Sequence, residues 1–336
     1  MSAIETFAVR ARSVERTIVL PEGQDPRVVI AANKAIEEKV VKRIIVLGTE
    51  AEIAKSCAEA KITERKFETL DYMASPLFED FSQELFKMRE AKGLVIEKAR
   101  KMISSRIYFG AMMCRRGLAD GLVAGSIAST ADMLRAAFHC IGTAPGIKSA
   151  SSTFVMDLKT PAPAGDDVLL FADCGVNPNP DANQLVDIAL ATSNTYRSLF
   201  GKTPRVAFLS FSTKGSAEHD ILVKVTEAAA AFAKKVADEK LDIICDGELQ
   251  ADAALVPSVA AQKAPGSPVA GAANVLIFPD LNAGNIAYKL VQRLGQAKAY
   301  GPVLQGVAKP LNDLSRGCSA EDIYGEIVIT VCQSIK

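Results

Sequence analysis

The most restrictive feature of this chain is an alternation of short β-branched runs with longer segments of helical period. Thr17–Leu20 reads as a strand, the PEGQDPR stretch at 21–27 as its turn and Val28–Val40 as a helix. Arg43–Leu47 (RIIVL) then reads as a second strand. Two strands joined through a helix form a βαβ unit, which dictates a parallel sheet with right-handed crossovers. Phe78 to Gly117 is strongly helical, Gly121–Ala124 is a further strand and Ser129–Ile141 a further helix. Pro145 and Gly146 break the pattern, with polar Ser149–Ser152 beyond them, so a domain boundary is placed there.

The second half repeats the alternation. Val168–Ala172, Arg205–Ser210, Leu241–Cys245 and Val275–Phe278 read as strands, and Leu185–Phe200, Ala217–Glu239 and Asn282–Leu294 as helices. Gly301–Leu304 reads as a final strand, followed by a loop and a helix over about Ser319–Ile335. This last strand and helix are expected to pack back on the first domain. The expectation is an α/β fold of two α/β/α domains with mainly parallel sheets, residues 1–147 plus 304–336 forming the first and 148–303 the second.

Composition removes several classes of function. The 336 residues carry 39 Lys and Arg against 39 Asp and Glu, so no bulk positive field exists to hold nucleic acid or a membrane surface. Hydrophobic residues make up 49%, too many for a disordered chain. The seven cysteines are scattered with no CxxC pair, and His139 and His219 are the only histidines. Neither a zinc site nor a disulfide framework is expected, and reduced thiols suit the cytoplasm. No apolar run reaches the length of a membrane span, and the first sixteen residues mix acids and bases without the apolar core of a signal peptide.

In an open α/β sheet, ligands sit beyond the carboxyl ends of strands, where loops meet helix N-termini. No Walker A pattern is present, since Gly201-Lys202-Thr203 lacks its upstream glycine, and no GxGxxG follows a strand. The richest polar cluster runs from Lys309 to Asp322 (KPLNDLSRGCSAED). Arg316 offers a planar fork for phosphate, Ser315 and Ser319 offer hydroxyls, and the final helix presents free N–H groups. Two readings stand side by side: an anion cradle with a working Asp322, or a capping box in which Asp322 simply closes the helix started by Ser319. Cys318 is either a nucleophile or an inert thiol. Weaker clusters lie at Ser210–Ser216, at Asp246-Gly247-Glu248, at Gly125–Thr130 ahead of the helix bearing Asp132 and Arg135, and at Asp173 to Asn179. Each is read either as a site or as ordinary turn and cap chemistry.

Taken together, these segments closely resemble the phosphate acetyltransferase (phosphotransacetylase) family. The matching blocks are IVLPEGQDPRV (18–28), ADGLVAGSIASTADMLRAA (119–137), FADCGVNPNPDANQLVDIA (171–189) and VAFLSFSTKGSA (206–217). They continue with DGELQADAALVP (246–257), KAPGSPVAGAANVLIFPDLNAGNIAYKLVQRLG (263–295) and GPVLQGVAKPLNDLSRGCSAEDI (301–323). KPxNDLSRGCS and FPDLNAGNIxYK are the most specific strings. Departures are small: Ser126-Ile127-Ala128-Ser129 differs from the commoner wording, and Ala136 stands where the family carries proline.

The resemblance implies an acyltransferase that interconverts acetyl-CoA plus phosphate with CoA plus acetyl phosphate. It implies an active cleft between two α/β domains, a homodimer, no permanently bound cofactor and no metal, with CoA as a substrate. The family's serine, arginine and aspartate fall on Ser315, Arg316 and Asp322. Its phosphate- or CoA-binding arginines resemble Arg135 in the ADxLR string, Arg89 in KMREAKG, and Arg293. Ser129 and Thr130 are taken as further substrate contacts. The implied chemistry is direct attack of the CoA thiol on acetyl phosphate with Asp322 as base, its basicity raised by burial or by Glu321 and lowered by Arg316. Competing readings are a ping-pong route through Cys318, a butyryl or propionyl substrate, a non-catalytic acetyl-CoA-sensing module, and a metal-dependent 2-hydroxy-acid dehydrogenase hinted at by Asp246 and Glu248.

Overall fold

A computed structural model describes residues 2–335. The chain divides into two compact units, one of Ile4–Ala144 together with the segment from Val307 onward, the other of Pro145–Gly306. In chain order the strands are β1 (Thr17–Leu20), β2 (Arg43–Leu47), β3 (Glu68–Leu70), β4 (Gly121–Ala124), β5 (Ser151–Asp157), β6 (Val168–Ala172), β7 (Arg205–Leu209), β8 (Ile244–Leu249), β9 (Val275–Ile277), β10 (Lys298–Gln305) and β11 (Leu311–Asp313).

The first unit holds a five-stranded sheet in the order β11-β4-β1-β2-β3. Every pairing in it is parallel. The direction of winding therefore reverses between β1 and β4, the place where open α/β sheets bind ligands. The helix Arg106–Arg115 is buried from Ile107 to Cys114, as expected of a helix that is apolar all round. Its Phe109 meets Tyr72 and Phe81 edge-on at centroid distances of 5.6 and 5.0 Å. Truncating Phe109 to alanine is expected to cost about 3–5 kcal/mol.

The second unit holds a six-stranded sheet in the order β10-β5-β6-β9-β7-β8. β5 runs antiparallel to both β10 and β6, and the remaining pairings are parallel. The final strand expected to return to the first sheet does not: β10 contains Gly301–Leu304 and pairs with β5 in the second. The strand that does return is β11, which reads as loop because only one of its three residues is apolar. Its polar side chains are satisfied inside the protein: Asn312 Nδ2 donates to Thr330 Oγ1 at 2.8 Å, and Asp313 Oδ2 accepts from Thr130 Oγ1. β5 hides behind its serines and threonine for the same reason. Ser152 Oγ donates to Asp173 Oδ1 at 2.6 Å and Thr153 Oγ1 to the Phe171 carbonyl at 3.1 Å. The helix expected over Ser129–Ile141 is α-helical at Thr130–Ala136 and widens to a π-helical turn at Ala137–Ile141.

Candidate active site

Three adjacent strands of the first sheet, β1, β4 and β11, point their carboxyl ends the same way, so their loops meet. Glu22 leaves β1, Gly125–Ser129 leaves β4, and Leu314–Ser319 leaves β11. Glu22 is buried and its carboxylate organises the β4 loop. Oε2 accepts from the Gly125 and Ser126 N–H groups at 2.8 Å each and from Ser126 Oγ at 2.9 Å. Oε1 accepts from the Ile127 N–H at 3.0 Å and the Ala128 N–H at 2.7 Å. Donors to a charged acceptor form the stronger class of hydrogen bond, so the loop is held as one rigid piece.

Arg27 ties the third loop to this frame. Its Nη1 donates to the carbonyls of Arg316 at 3.0 Å and Cys318 at 2.6 Å, while Nη2 donates to the Ser126 carbonyl at 3.1 Å and to Asp25 Oδ2 at 2.6 Å. Asp25 in turn caps the helix Pro26–Glu37 by accepting from the Arg27 N–H at 2.9 Å. Burial works against the charge of Asp25, but the side-chain and backbone donors of Arg27 outweigh it and hold the carboxyl below its usual range. Gly125 has φ +113°, and a Cβ there would lie 2.3 Å from Asp313 Oδ1 and 2.5 Å from the Leu314 N–H nitrogen. Only glycine permits the β4 loop to approach the β11 loop this closely.

On this frame Ser315 to Cys318 forms a tight turn, the Cys318 N–H donating to the Ser315 carbonyl at 2.9 Å. Ser315 and Arg316 are exposed, and among the described residues no side chain pairs with the Arg316 guanidinium. Asp322 is exposed at the start of the terminal helix, Ala320–Gln333. Its Oδ2 accepts from both the N–H and the Oγ of Ser319 at 2.8 Å, and its own N–H donates to Ser319 Oγ at 3.1 Å. The capping box is thus formed, using one carboxylate oxygen. Glu321, which the sequence suggests as a carboxylate acting on Asp322, is instead drawn to Lys34 Nζ at 2.6 Å. Cys318 is buried; burial pushes its thiol up to about 11, with Arg27 opposing.

The remaining candidates in this unit are placed as follows. Ser129 is the N-cap of the helix Thr130–Ala136, donating from Oγ to Asp132 Oδ2 at 2.6 Å. Thr130 Oγ1 donates to Asp313 Oδ2 at 2.5 Å. Both hydroxyls are thereby engaged within the protein. Arg135 is exposed and pairs with Asp132 at 2.5 Å. Arg89 ends the helix Leu77–Arg89. The charges of Arg89 and Arg135 both act on His139, whose Nδ1 shares a hydrogen bond with Tyr108 Oη at 2.8 Å. Burial first, then Arg89, Arg135 and Lys92, push His139 below its usual range, which disfavours the charged ring. Sequence reasoning gave no role to Glu22, Arg27, Tyr108 or His139; the PEGQDPR string gave a signal for the first two, read there as a turn and as part of a block shared with the family.

Arg293 lies exposed in the last turn of the helix Leu281–Leu294 of the second unit. In the same unit Asp173 is buried beneath donors from Ser152, Gly175, Val176 and Asn177. Glu248 is buried too, accepting from Ser212 Oγ at 2.9 Å and the Gly215 N–H at 2.7 Å, while Lys214 and Ser267 engage Asp246. These loops read in the sequence as sites or turns have their carboxylates occupied by their own backbone and side chains. Among the described residues, no group of three or more His, Cys, Asp or Glu side chains is arranged to hold a metal ion.

Residues 2–331 match the family described as phosphate acetyl/butaryl transferase, and the chain belongs to that family of acyltransferase enzymes. A phosphate acetyltransferase of Thermoanaerobacterium thermosaccharolyticum is 48% identical over 334 residues, covering 99% of this chain and 100% of the relative. Among solved structures, the EutD phosphotransacetylase from Staphylococcus aureus superposes with a TM-score of 0.91 at 41% identity, covering 99% of this chain and 98% of that one. A phosphotransacetylase from Streptococcus pyogenes gives a TM-score of 0.90 at 40% identity, covering 100% and 99%.

Proposed function

We propose that the acetyl transfer between CoA and phosphate catalysed by this chain proceeds by direct attack of the CoA thiolate on acetyl phosphate, on the loops gathered beyond β1, β4 and β11. A free thiol with a pKa near 8.5 is only a few per cent thiolate at about pH 7. Asp322 takes the thiol proton as the sulfur attacks the acetyl carbon. A carbon–sulfur bond forms, the bond from that carbon to the phosphate oxygen breaks, and inorganic phosphate leaves with the bonding pair. Such a base contributes roughly 10²–10⁴ in rate. Arg316 grips the phosphoryl oxygens with its fork, and Ser315 donates to the oxyanion of the tetrahedral intermediate. The observation that carries this reading is the Arg316 guanidinium, exposed and unpaired on a turn that Arg27 fastens through its backbone carbonyls.

Arg89, Arg135 and Arg293 serve phosphate or CoA phosphates in this scheme, and the shared action of the first two on His139 supports treating them as one basic patch. The buried, weakly acidic Cys318 argues against an acetyl-cysteine intermediate. Seven unpaired cysteines support a cytoplasmic setting. Ile286, Leu290 and Leu294 form an exposed stripe along the helix Leu281–Leu294, which supports a homodimer. The relatives are named for acetyl rather than butyryl transfer. Release of CoA thiol from acetyl-CoA on adding phosphate tests the activity directly. Comparing kcat/KM for acetyl-, propionyl- and butyryl-CoA tests the acyl group, one methylene being worth about 1–3 kcal/mol.

A further inference from the structure

The terminal helix carries a third acid, after Glu321 and Asp322, and the proposed chemistry does not use it. Glu326 lies one turn beyond Asp322, on the same face. It is 2% exposed, and Asp313, two residues ahead of Ser315, is 1% exposed. Each has a buried oxygen with no hydrogen-bond partner, Oε1 of Glu326 and Oδ1 of Asp313. The other oxygen of Asp313 takes the Thr130 hydroxyl.

The charges that reach this pair are all acidic. Asp313 and Asp322 act on Glu326, and Glu22 acts on Asp313. The elements that pack most closely on the terminal helix supply Glu326 with no ion-pair partner, and the half-buried Arg10 of the helix Ala3–Ala11 acts on Cys332 near the far end of the terminal helix. β1 (TIVL) and β4 (GLVA) carry no ionisable side chain. On the helix Pro26–Glu37, Arg27 is committed to Asp25 and Lys34 to Glu321. Two buried carboxyls without a cation do not both ionise near neutrality, because each charge raises the cost of the other.

We infer that the Asp313–Glu326 pair carries a single proton, held on Glu326, and that this buried neutral acid is a positioning residue that keeps the Ser315–Asp322 loop able to accept an anion. The functional half rests on the reading of that loop as the phosphate site. Burial, then Asp313 and Asp322, push Glu326 up to about 8, while burial pushes Asp313 only to about 6 because the Thr130 hydroxyl and the Leu314 N–H favour its charge. When Glu326 loses its proton, a second negative charge appears behind the loop and beside Asp322. The loop then repels phosphate and acetyl phosphate.

Infrared spectra of the full-length protein test the proton without any substrate. A protonated-carboxyl C=O band is expected near neutral pH, fading with a midpoint of about 8 and missing from Glu326→Gln. Asp313→Asn removes a neighbouring charge and should move that midpoint down. In steady-state assays, the wild-type KM for acetyl phosphate should rise about tenfold between about pH 7 and about pH 9, while Glu326→Gln, which cannot ionise, stays flat. A wild-type protein without the band near neutrality overturns the proton assignment, and that measurement needs no variant. A band that behaves as described, with an unchanged KM response in Glu326→Gln, overturns the link to the loop. Neither result depends on whether Asp322 is the base.

Discussion

Replacing Glu22 by glutamine tests whether the site is held from beneath. The shape of the side chain is kept, but one acceptor oxygen becomes an NH₂ group facing other donors. Placed at Oε2, the amide opposes the Gly125 and Ser126 N–H groups and the Ser126 hydroxyl; placed at Oε1, it opposes the Ile127 and Ala128 N–H groups. The second arrangement is the cheaper and still forfeits two bonds to a charged acceptor. At about 1.5–3 kcal/mol for each such bond, the loss is about 3–6 kcal/mol. A folding unit of this size loses about 2–4 °C in Tm per kcal/mol, so thermal unfolding should move down by on the order of 10 °C. Scanning calorimetry of both proteins under the same buffer conditions reads this directly. The acetyl-transfer rate should fall as well, since the β4 loop abuts the loop of Arg316. A Tm within a degree or two of wild type, by about the resolution expected of surface changes, would falsify the claim that Glu22 organises the site.

Four further outcomes follow from the same geometry. Arg316→Gln removes the fork without touching its backbone carbonyl, so KM for acetyl phosphate should rise at least about tenfold in steady-state assays with Tm unchanged, matching the loss of a charge-assisted contact; an unaltered KM and kcat refutes its role. Cys318→Ala should keep most of its turnover because the thiol is buried and raised to about 11, and a near-total loss of rate in the same assay would revive the ping-pong route. Gly125→Ala puts a Cβ against Asp313 Oδ1 in a left-handed backbone, so it should cost several-fold more activity than Gly93→Ala, where nothing lies within 4 Å of the added atom. Glu326→Gln should lose less stability than wild type as pH rises. Its wild-type carboxyl has a folded value of about 8, above the unfolded 4.5, so the folded state binds the extra proton and wild-type stability declines across that window. Denaturant titrations at a series of pH values check the divergence.

Much of the fold can be read in the sequence because apolar alternation marks it. The TIVL, RIIVL and GLVA strands stand in the structure where their β-branched and apolar runs place them. What escapes is whatever is buried and polar. β11 and β5 carry Asn312, Asp313, Ser151, Ser152 and Thr153, whose satisfaction depends on partners more than a dozen residues away. Ser315, Arg316 and Asp322 stand out in the sequence because their side chains are exposed chemistry on a loop. Their supports do not stand out. Glu22 and Arg27 look like turn residues until the β4 and β11 loops come to rest on them. Glu326 sits among the buried, mostly apolar middle turns of its helix, and nothing local reveals that no cation meets it.

The division of labour at Asp322 is the point on which the mechanism turns, since one carboxylate both caps a helix and is assigned the thiol proton. Asp322→Asn separates the two roles, because the amide oxygen can still accept the Ser319 donors that now bind Oδ2. Loss of the charge at the helix N-terminus should cost only about 0.3–1 kcal/mol of stability. Turnover of acetyl phosphate with CoA should drop by about 10²–10⁴. A variant that unfolds earlier yet transfers acetyl groups at the wild-type rate contradicts the assignment and leaves Asp322 as a cap alone.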